Sequence, residues 1–367
     1  MRTIDRPLLY ATGLLFIGGL LILFSASMAS AEENFGSISY YVLRQLVYGG
    51  GAGLLALLIT QWIPYRTWKS LALPLMACAF IILALVFIPE LSYATRGARR
   101  WLEFGIIRFQ PSEFLKLAFI IYLASWLDAR RKEVATVSYG TIPFGLMLSV
   151  VGIFLIMQPD LGTLGVIIGT SGILYFLGGG AKAQFAALFI FGLALFYLVI
   201  QIAPYQYQLD RLRVFLSPGL DPQGTGYQIT QALIAIGSGG FWGLGFGESL
   251  QKYRYLPEPM SDSIFAIVAE ELGFIGAVVL IGFFVFFFWR GLVIARRAPD
   301  VFGKLLGAGI AVGIVSQAFI NMAALTGLLP LTGIPLPLVS YGGTSLMVTL
   351  ASIGILLNIS KHARVGA

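Results

Sequence analysis

The chain has 367 residues, of which 58% are hydrophobic and only 11% charged, with 24 Lys and Arg against 17 Asp and Glu. A soluble domain carries about 25% charge, so this composition describes a polytopic membrane protein, read as one domain over 1–367. A single Cys and a single His, Cys78 and His362, exclude an internal disulfide, a zinc site and His-based acid–base chemistry, leaving carboxylates, Lys, Arg, Tyr and hydroxyls to do any reaction.

Ten apolar runs follow along the chain, at roughly 8–30, 41–62, 70–89, 112–128, 140–158, 161–178, 183–203, 263–289, 302–328 and 337–359. A bilayer crossing takes about 20 residues. Backbone polar groups in lipid must pair internally, and the short alternating segments of a β-barrel are missing, so helices are expected. The expected class is all-α with ten transmembrane helices. The first run leads into an acidic loop and further spans, and reads as a span rather than a cleaved leader.

Lys and Arg set the orientation. With both termini cytoplasmic, the inner loops hold Arg2, Arg6, Arg66, Lys69, Arg130, Arg131, Lys132, Lys182, Arg290, Arg296, Arg297, Lys304, Lys361 and Arg364, opposed only by Asp5, Asp128, Glu133 and Asp300. The other basic residues, among them Arg44, Arg96, Arg99, Arg100, Arg108, Lys116, Arg211, Arg213, Lys252 and Arg254, fall on the outer side, which this rule disfavours. Binding a phosphate-bearing ligand is one reason for cations there.

These outer cations sit in or beside a few motifs. Arg44-Gln45 opens the second span. Gly97–Gly105 and Arg108–Lys116 precede and enter the fourth, with Ser112 expected as N-cap after Pro111 and Glu113 and Lys116 one turn apart on one helix face. Asp160, in Met157–Thr163, is placed to cap the sixth helix and to contact substrate as well. The outer loop of about 204–262 is long enough to be functional and rich in Gly, with a short helix expected over Tyr227–Ile236. It ends on Lys252, Arg254, Glu258 and Asp262, where a polar loop turns into an apolar helix. A carboxylate there is costly unless it is used or paired. Glu270 lies about 80° around that helix and about 12 Å deeper than Asp262, and Glu271 lies on nearly the opposite face. Both are expected to be structural and to meet partners such as Lys116. From Asn321 to Ser345, Pro and Gly interrupt membrane-depth helix, as happens where backbone lines a cavity or packs on protein. The aromatic run Phe283–Trp289 is expected to face lipid. No phosphate-binding loop of the GxxxxGK[ST] type is present, and no nucleic-acid partner is expected.

Gly97-Ala-Arg-Arg-Trp101, Gln110–Lys116, Gln158–Thr163, Leu256-Pro-Glu258 through Asp262 to Gly273, and Leu329–Pro337 to Gly343 together resemble the SEDS family, which includes FtsW, RodA and SpoVE, across nearly the whole chain. Gln251–Glu258 and Ser25-Ala-Ser27 resemble the FtsW and SpoVE branch more than RodA. The resemblance implies the ten-helix SEDS fold in the bacterial cytoplasmic membrane. It implies a glycosyltransferase that polymerises lipid II at the outer face, for division or cell shape. The implied partners are a class B penicillin-binding protein and other divisome or elongasome membrane proteins. The family's essential aspartate maps onto Asp262. Met260 and Ser263 depart from the common His and Phe, which bears on substrate contacts rather than on the activity. On this reading Asp262 is the general base, and Gln45, Glu113, Lys116, Asp160 and Glu258 belong to the substrate region. Arg44, Arg99, Arg100 and Lys252 stabilise the leaving pyrophosphate, or a divalent cation (Mg or Mn) held by Asp262 or Glu258 shares that task. The alternatives are a lipid II flippase, which the buried charges would also suit, and a scaffold that recruits division proteins.

Overall fold

The computed structural model describes residues 4–363 except 96, 97, 106, 191, 193–212, 218–220, 222 and 223. Arg96, Arg211 and the later half of the expected seventh span lie outside the described residues, as do Arg2 and Arg364.

The described residues are mostly helical rather than all-α, since a small β-sheet joins two of the helices. The longer helices among the described residues are α1 (Arg6–Phe35), α2 (Tyr40–Trp62), α3 (Ala72–Leu85), α4 (Pro111–Ala129), α5 (Val137–Met157), α6 (Leu161–Leu177), α7 (182–190), α8 (Thr225–Ser238), α9 (Ile264–Arg297), α10 (Val301–Leu325) and α11 (Gly343–Lys361). Among the described residues six of these, α1, α2, α5, α9, α10 and α11, are long and apolar enough to cross a membrane, and α3 and α6 are shorter apolar helices. α4 has the length, but Glu113, Lys116 and Asp128 lie along it. The exposed side of α1 is a stripe of Leu14, Ile17 and Leu21, and that of α5 is Leu146, Val150 and Ile153, the spacing of one helix face turned to lipid.

α10 and α11 form the centre. Their most apolar stretches are 78% buried, against 28–39% for α1, α2, α5 and α9 around them. α2 lies tightly on α11 because Gly354 carries no side chain: a Cβ there would stand 2.1 Å from Thr60 Oγ1 and 2.4 Å from the Leu57 carbonyl. The Phe283–Trp289 run does not face lipid throughout. Phe284 and Phe287 are fully buried while Val285, Phe286 and Trp289 are exposed, because a helix cannot turn seven consecutive residues to one side.

Both chain ends meet at one end of the bundle, where the Asp5 amide donates to Ser360 Oγ at 3.0 Å and Arg290 pairs with Asp5. Tyr65, Arg66 and Asp300 gather there too. Tyr65 Oη donates to Asp300 Oδ2 at 2.5 Å, and Asp300 also caps α10 through the Gly303 amide at 2.8 Å. Burial acts to raise the Asp300 pKa, but hydrogen bonds from Tyr65, Gly303 and Arg66 outweigh it and hold the carboxyl below its usual range; burial and that carboxylate push Tyr65 up to about 12. A depressed carboxyl contributes stability above its unfolded pKa and loses it as pH falls through the folded value. Asp300→Asn should therefore lower the thermal midpoint at neutral pH and flatten its decline below the ordinary carboxylate pKa of 3.8, read by scans from pH 7 to pH 3 at one heating rate.

The opposite end carries a feature the hydropathy pattern does not show. A three-stranded antiparallel sheet, β1 (Ser92–Thr95), β2 (Ala98–Phe104) and β3 (Ile107–Phe109), joins α3 to α4. Its second strand carries residues 98–104 of the Gly97–Gly105 motif, and Arg108 lies over the Tyr93 ring at 3.9 Å.

α9 is two helices in line. Gly273 (φ 64, ψ −165) breaks it, leaving 264–272 as a short arm before the long span. The 240–245 turn fills the break: the Leu244 and Gly245 amides donate to the Glu270 and Glu271 carbonyls, both at 3.0 Å, and the Phe274 and Ile275 amides donate to the Gly240 and Phe241 carbonyls at 2.9 and 3.3 Å. The groups freed by the break are thus paired, as apolar surroundings demand. The expected eighth span of 263–289 corresponds to α9, which is broken at Gly273 and runs on to Arg297.

Candidate functional site

Asp262 ends the 255–263 loop at the sheet-bearing end and is half-buried. Three elements fix it. From α10, Asn321 Nδ2 donates to the Asp262 carbonyl at 2.7 Å and to the Ile334 carbonyl at 2.8 Å. From the segment before α11, Ser340 Oγ donates to the Ser261 carbonyl at 2.5 Å and the Tyr341 amide donates to the Met260 carbonyl at 2.8 Å. From α8, Gln228 Nε2 donates to Asp262 Oδ2 at 3.4 Å and to Ser263 Oγ at 3.0 Å. Glu258 (φ 52) turns the loop; its carbonyl accepts from the Ser261 and Ser263 amides at 3.1 and 3.2 Å. Ser263, which departs from the family's common Phe, donates to the Pro257 carbonyl at 2.9 Å.

The 331–342 segment is the hub. Buried Gln45 donates to the Ser340 carbonyl at 3.2 Å and accepts from the Gly342 amide at 3.1 Å, so α2 fixes the backbone that fixes Asp262. Arg44, beside it, reaches Tyr341 electrostatically, as does Arg108 from β3. Burial pushes the Tyr341 phenol up, and both cations work against it. Gln317 Nε2 donates to the Pro335 carbonyl at 2.9 Å, and Lys116 Nζ donates to Gln317 Oε1. Thr344, in the first turn of α11, donates to the Arg108 carbonyl at 3.2 Å and accepts from the Gln110 amide at 3.3 Å. Three motifs far apart in sequence thereby converge on this segment and the start of α11.

The expected roles are redistributed. Ser112 is not the N-cap of α4: Gln110 holds that position and Pro111 opens the helix, while Ser112 Oγ donates to Asp160 Oδ2 at 2.9 Å. Asp160 caps α6 through the Thr163 amide at 3.3 Å and is 2% exposed, so its oxygens serve the fold. Arg100 donates to the Gln158 carbonyl at 3.1 Å and to the Pro159 carbonyl, tying β2 to that turn. Arg99 is exposed on β2. Lys116 pairs with Glu113 at 2.9 Å, with side chains 12% and 2% exposed.

Glu270 and Glu271 do not meet Lys116, whose ammonium Glu113 and Gln317 already engage. They meet the 247–252 loop, where Lys252 pairs with Glu271 at 3.1 Å and is fully buried. Lys252 is enclosed away from the Asp262 face.

Lys116 and Glu113 head a cavity of about 40 Å³ between α4, α6, α10 and α11, lined further by Thr170, Ser171, Gln317, Thr349 and Ser352. That volume takes water, not a sugar. Removing one member of a buried pair strands the other at a cost of about 3–5 kcal/mol. Lys116→Met should lower the thermal midpoint in detergent sharply, and Lys116→Met with Glu113→Gln should recover most of the loss.

No three His, Cys, Asp or Glu side chains converge among the described residues. Asp262 and Glu258 are the carboxylates of the loop. Mg is commonly held by one or two carboxylates completed by substrate phosphates, so this pair fits such an ion only together with a phosphate-bearing ligand.

The clamp residues Gln228, Ser340 and Tyr341 lie in stretches the sequence singles out but do not stand out there as individual site residues. They are uncharged and their role is visible only once the loops meet. Asn321, which opens the Pro- and Gly-interrupted stretch, carried a partial signal.

Residues 6–365 match the family model FTSW_RODA_SPOVE, described as a cell cycle protein. Stage V sporulation protein E of Bacillus subtilis is 40% identical over 98% of both chains. A protein of Geobacter sulfurreducens named probable peptidoglycan glycosyltransferase FtsW is 40% identical, covering 94% of this chain and 92% of its own. Among solved structures, a chain from a peptidoglycan synthase complex, described as coordinating polymerization and crosslinking, superposes with a TM-score of 0.80 at 28% identity over 97% of each chain. The rod shape determining protein RodA of Thermus thermophilus superposes with a TM-score of 0.70 at 27% identity, over 97% of this chain and 96% of that one.

Proposed function

The chain belongs to the FtsW, RodA and SpoVE family of cell cycle proteins, and from that premise we propose that it is a peptidoglycan glycosyltransferase that polymerises lipid II at the outer face of the bacterial cytoplasmic membrane. The relatives named for that activity support the reaction class over most of both chains. The observation that carries the site is the three-sided clamp on the Asp262 loop, one side of which is Tyr341, a residue within electrostatic reach of Arg44 and Arg108.

The topology proposed is ten spans, the described part of the seventh being α7, with both termini cytoplasmic. It is supported by the meeting of Asp5 and Ser360 at the Arg66 and Arg290 end, which an even number of crossings requires and which the positive-inside rule turns inward.

In the proposed mechanism Asp262 accepts the proton of the acceptor GlcNAc 4-hydroxyl. The oxygen attacks the anomeric carbon of the donor from the face opposite the phosphate. The C–O bond to phosphate breaks, and undecaprenyl pyrophosphate leaves with the electron pair, giving an inverted β-1,4 link. Arg44, Arg99 and Arg108 are the cations proposed to stabilise that leaving charge; Lys252 is not among them, because its donors are spent internally. A divalent cation held by Asp262, Glu258 and the substrate phosphates would neutralise the same charge. Gln45 acts by fixing Ser340 and Gly342, and Lys116 by bracing Gln317 against Pro335.

A class B penicillin-binding protein is the proposed partner, supported by the likeness to a chain of a synthase complex. The convergence of the Arg44-Gln45, Arg108–Lys116 and Asp262 motifs on the segment before α11, at one end of the bundle, favours polymerisation over flipping. The test is incubation of the purified chain with labelled lipid II, with and without its cognate transpeptidase, followed by gel separation of glycan products. Strands stimulated by the partner support the reading, and none under any partner or metal condition overturns it.

A further inference from the structure

We propose that Lys252, Glu271 and Ser25 form a buried lock that positions Asp262; the proposal rests on the glycosyltransferase reading. Lys252 Nζ donates to Glu271 Oε1 at 3.1 Å, to Ser25 Oγ at 3.2 Å and to the Gly247 carbonyl at 2.5 Å. An ammonium has three donors, so none remains for a substrate phosphate. Its side chain is 0% exposed and that of Glu271 is 4% exposed. The cation that reads from sequence as a pyrophosphate ligand is thus wholly engaged inside the protein.

What it engages is the arm that carries Asp262. Residues 264–272 form a helical arm of about 13 Å, starting directly after Ser263 and ending at the Gly273 break. At its far end Glu270 accepts from Ser249 Oγ at 2.5 Å and from the Leu250 and Gln251 amides at 3.1 and 3.4 Å, and Glu271 accepts from the Ser249 amide at 3.3 Å. Ser25 brings in α1 by donating to Glu271 Oε1 at 2.5 Å. The near end of the arm is held by Gln228, Asn321 and Ser340. Asp262 therefore stands at the tip of a short rigid lever whose base is pinned to α1 and to the 247–252 loop. The ammonium is the cation paired with Glu271, while Glu270 is held by Ser249 and the Leu250 and Gln251 amides, so loss of Lys252 strands the buried Glu271 carboxylate, and the base of the lever must shift to rehydrate it.

Lys252, Glu271 and Ser25 are positioning residues, and a kinetic split distinguishes them from substrate ligands. Displacing a catalytic group by about 1 Å costs on the order of 10²-fold in rate. Lys252→Met should lower kcat for lipid II by roughly that factor with KM nearly unchanged. Adding Glu271→Gln removes the stranded charge and should regain most of the loss, a strongly non-additive cycle. Ser25→Ala should lower kcat less and in the same direction, and it carries the test if Lys252→Met does not fold. A raised KM with unchanged kcat, or a double variant as impaired as the two single losses multiplied, overturns the proposal and assigns Lys252 to the substrate. Hydrogen exchange without substrate reads the lock independently of catalysis. The Leu250 and Gln251 amides should exchange slowly in the wild type and quickly in Lys252→Met or Ser25→Ala. That result together with a wild type that makes no polymer keeps the lock and overturns only the glycosyltransferase reading. Unchanged exchange overturns the lock.

Discussion

Asp262→Asn should give a folded, membrane-inserted protein that makes no detectable glycan. The substitution spares the clamp, because Asn321, Ser340 and Tyr341 hold the loop through backbone carbonyls of Asp262, Ser261 and Met260 rather than through the carboxylate. Gln228 Nε2 can donate to an amide oxygen as it does to Oδ2. What disappears is the proton acceptor. A positioned general base contributes about 10²–10⁴-fold, and with one His in the chain, His362 at the opposite end beside Asn358, no imidazole stands in for it. Initial rates on labelled lipid II and thermal midpoints of both proteins separate lost chemistry from lost fold. A well-folded variant within tenfold of the wild-type rate would refute the assignment of the base.

Gly273→Val should be the most damaging single change outside the site. The backbone at φ 64 and ψ −165 is open to glycine alone. A Cβ would stand 2.3 Å from the Gly243 amide nitrogen and 2.7 Å from the Phe241 carbonyl. The 240–245 turn must then leave the break, and the four backbone hydrogen bonds that seal it go with it. Strain of about 1–3 kcal/mol adds to polar groups left unpaired in apolar surroundings at about 1–3 kcal/mol each. Such a sum approaches the whole stability of an ordinary domain, about 5–15 kcal/mol. Little of the variant should reach the membrane fraction in folded form, whereas Gly282→Ala, in the same helix with nothing within 4 Å of its Cβ, should behave as wild type. Comparable yields and thermal midpoints for the two variants would show that the break is not held as described.

The two variants probe features of unequal legibility. Asp262 could be read from sequence because an acidic residue where a polar loop enters an apolar helix breaks the local pattern and demands a reason. Gly273 could not, because apolar residues continue on both sides of the Glu270-Glu271 pair and a lone glycine is tolerated in a membrane helix; only the positive-φ turn at Gly243 and Gly245 shows what it admits. The short helix expected over Tyr227–Ile236 is present as α8, Thr225–Ser238. The β-sheet of 92–109 was not expected, since its strands are short and mix Arg with aromatic residues. Charge was the least transferable signal. Sequence shows that Lys116, Glu113, Lys252, Glu270 and Glu271 need partners, but pairing follows from which helices touch. Lys116 found its own i−3 neighbour and Gln317, and Lys252 found Glu271 because the Gly273 break lets the loop descend to it.

The most direct measurement uses proteoliposomes holding the wild-type chain or Asp262→Asn, labelled lipid II and the partner transpeptidase, scored at once for glycan strands and for transfer of lipid II between leaflets. The account predicts strands from the wild type, none from the variant and no faster transfer with either. Transfer by the wild type without any polymer would contradict it and make the protein a transporter.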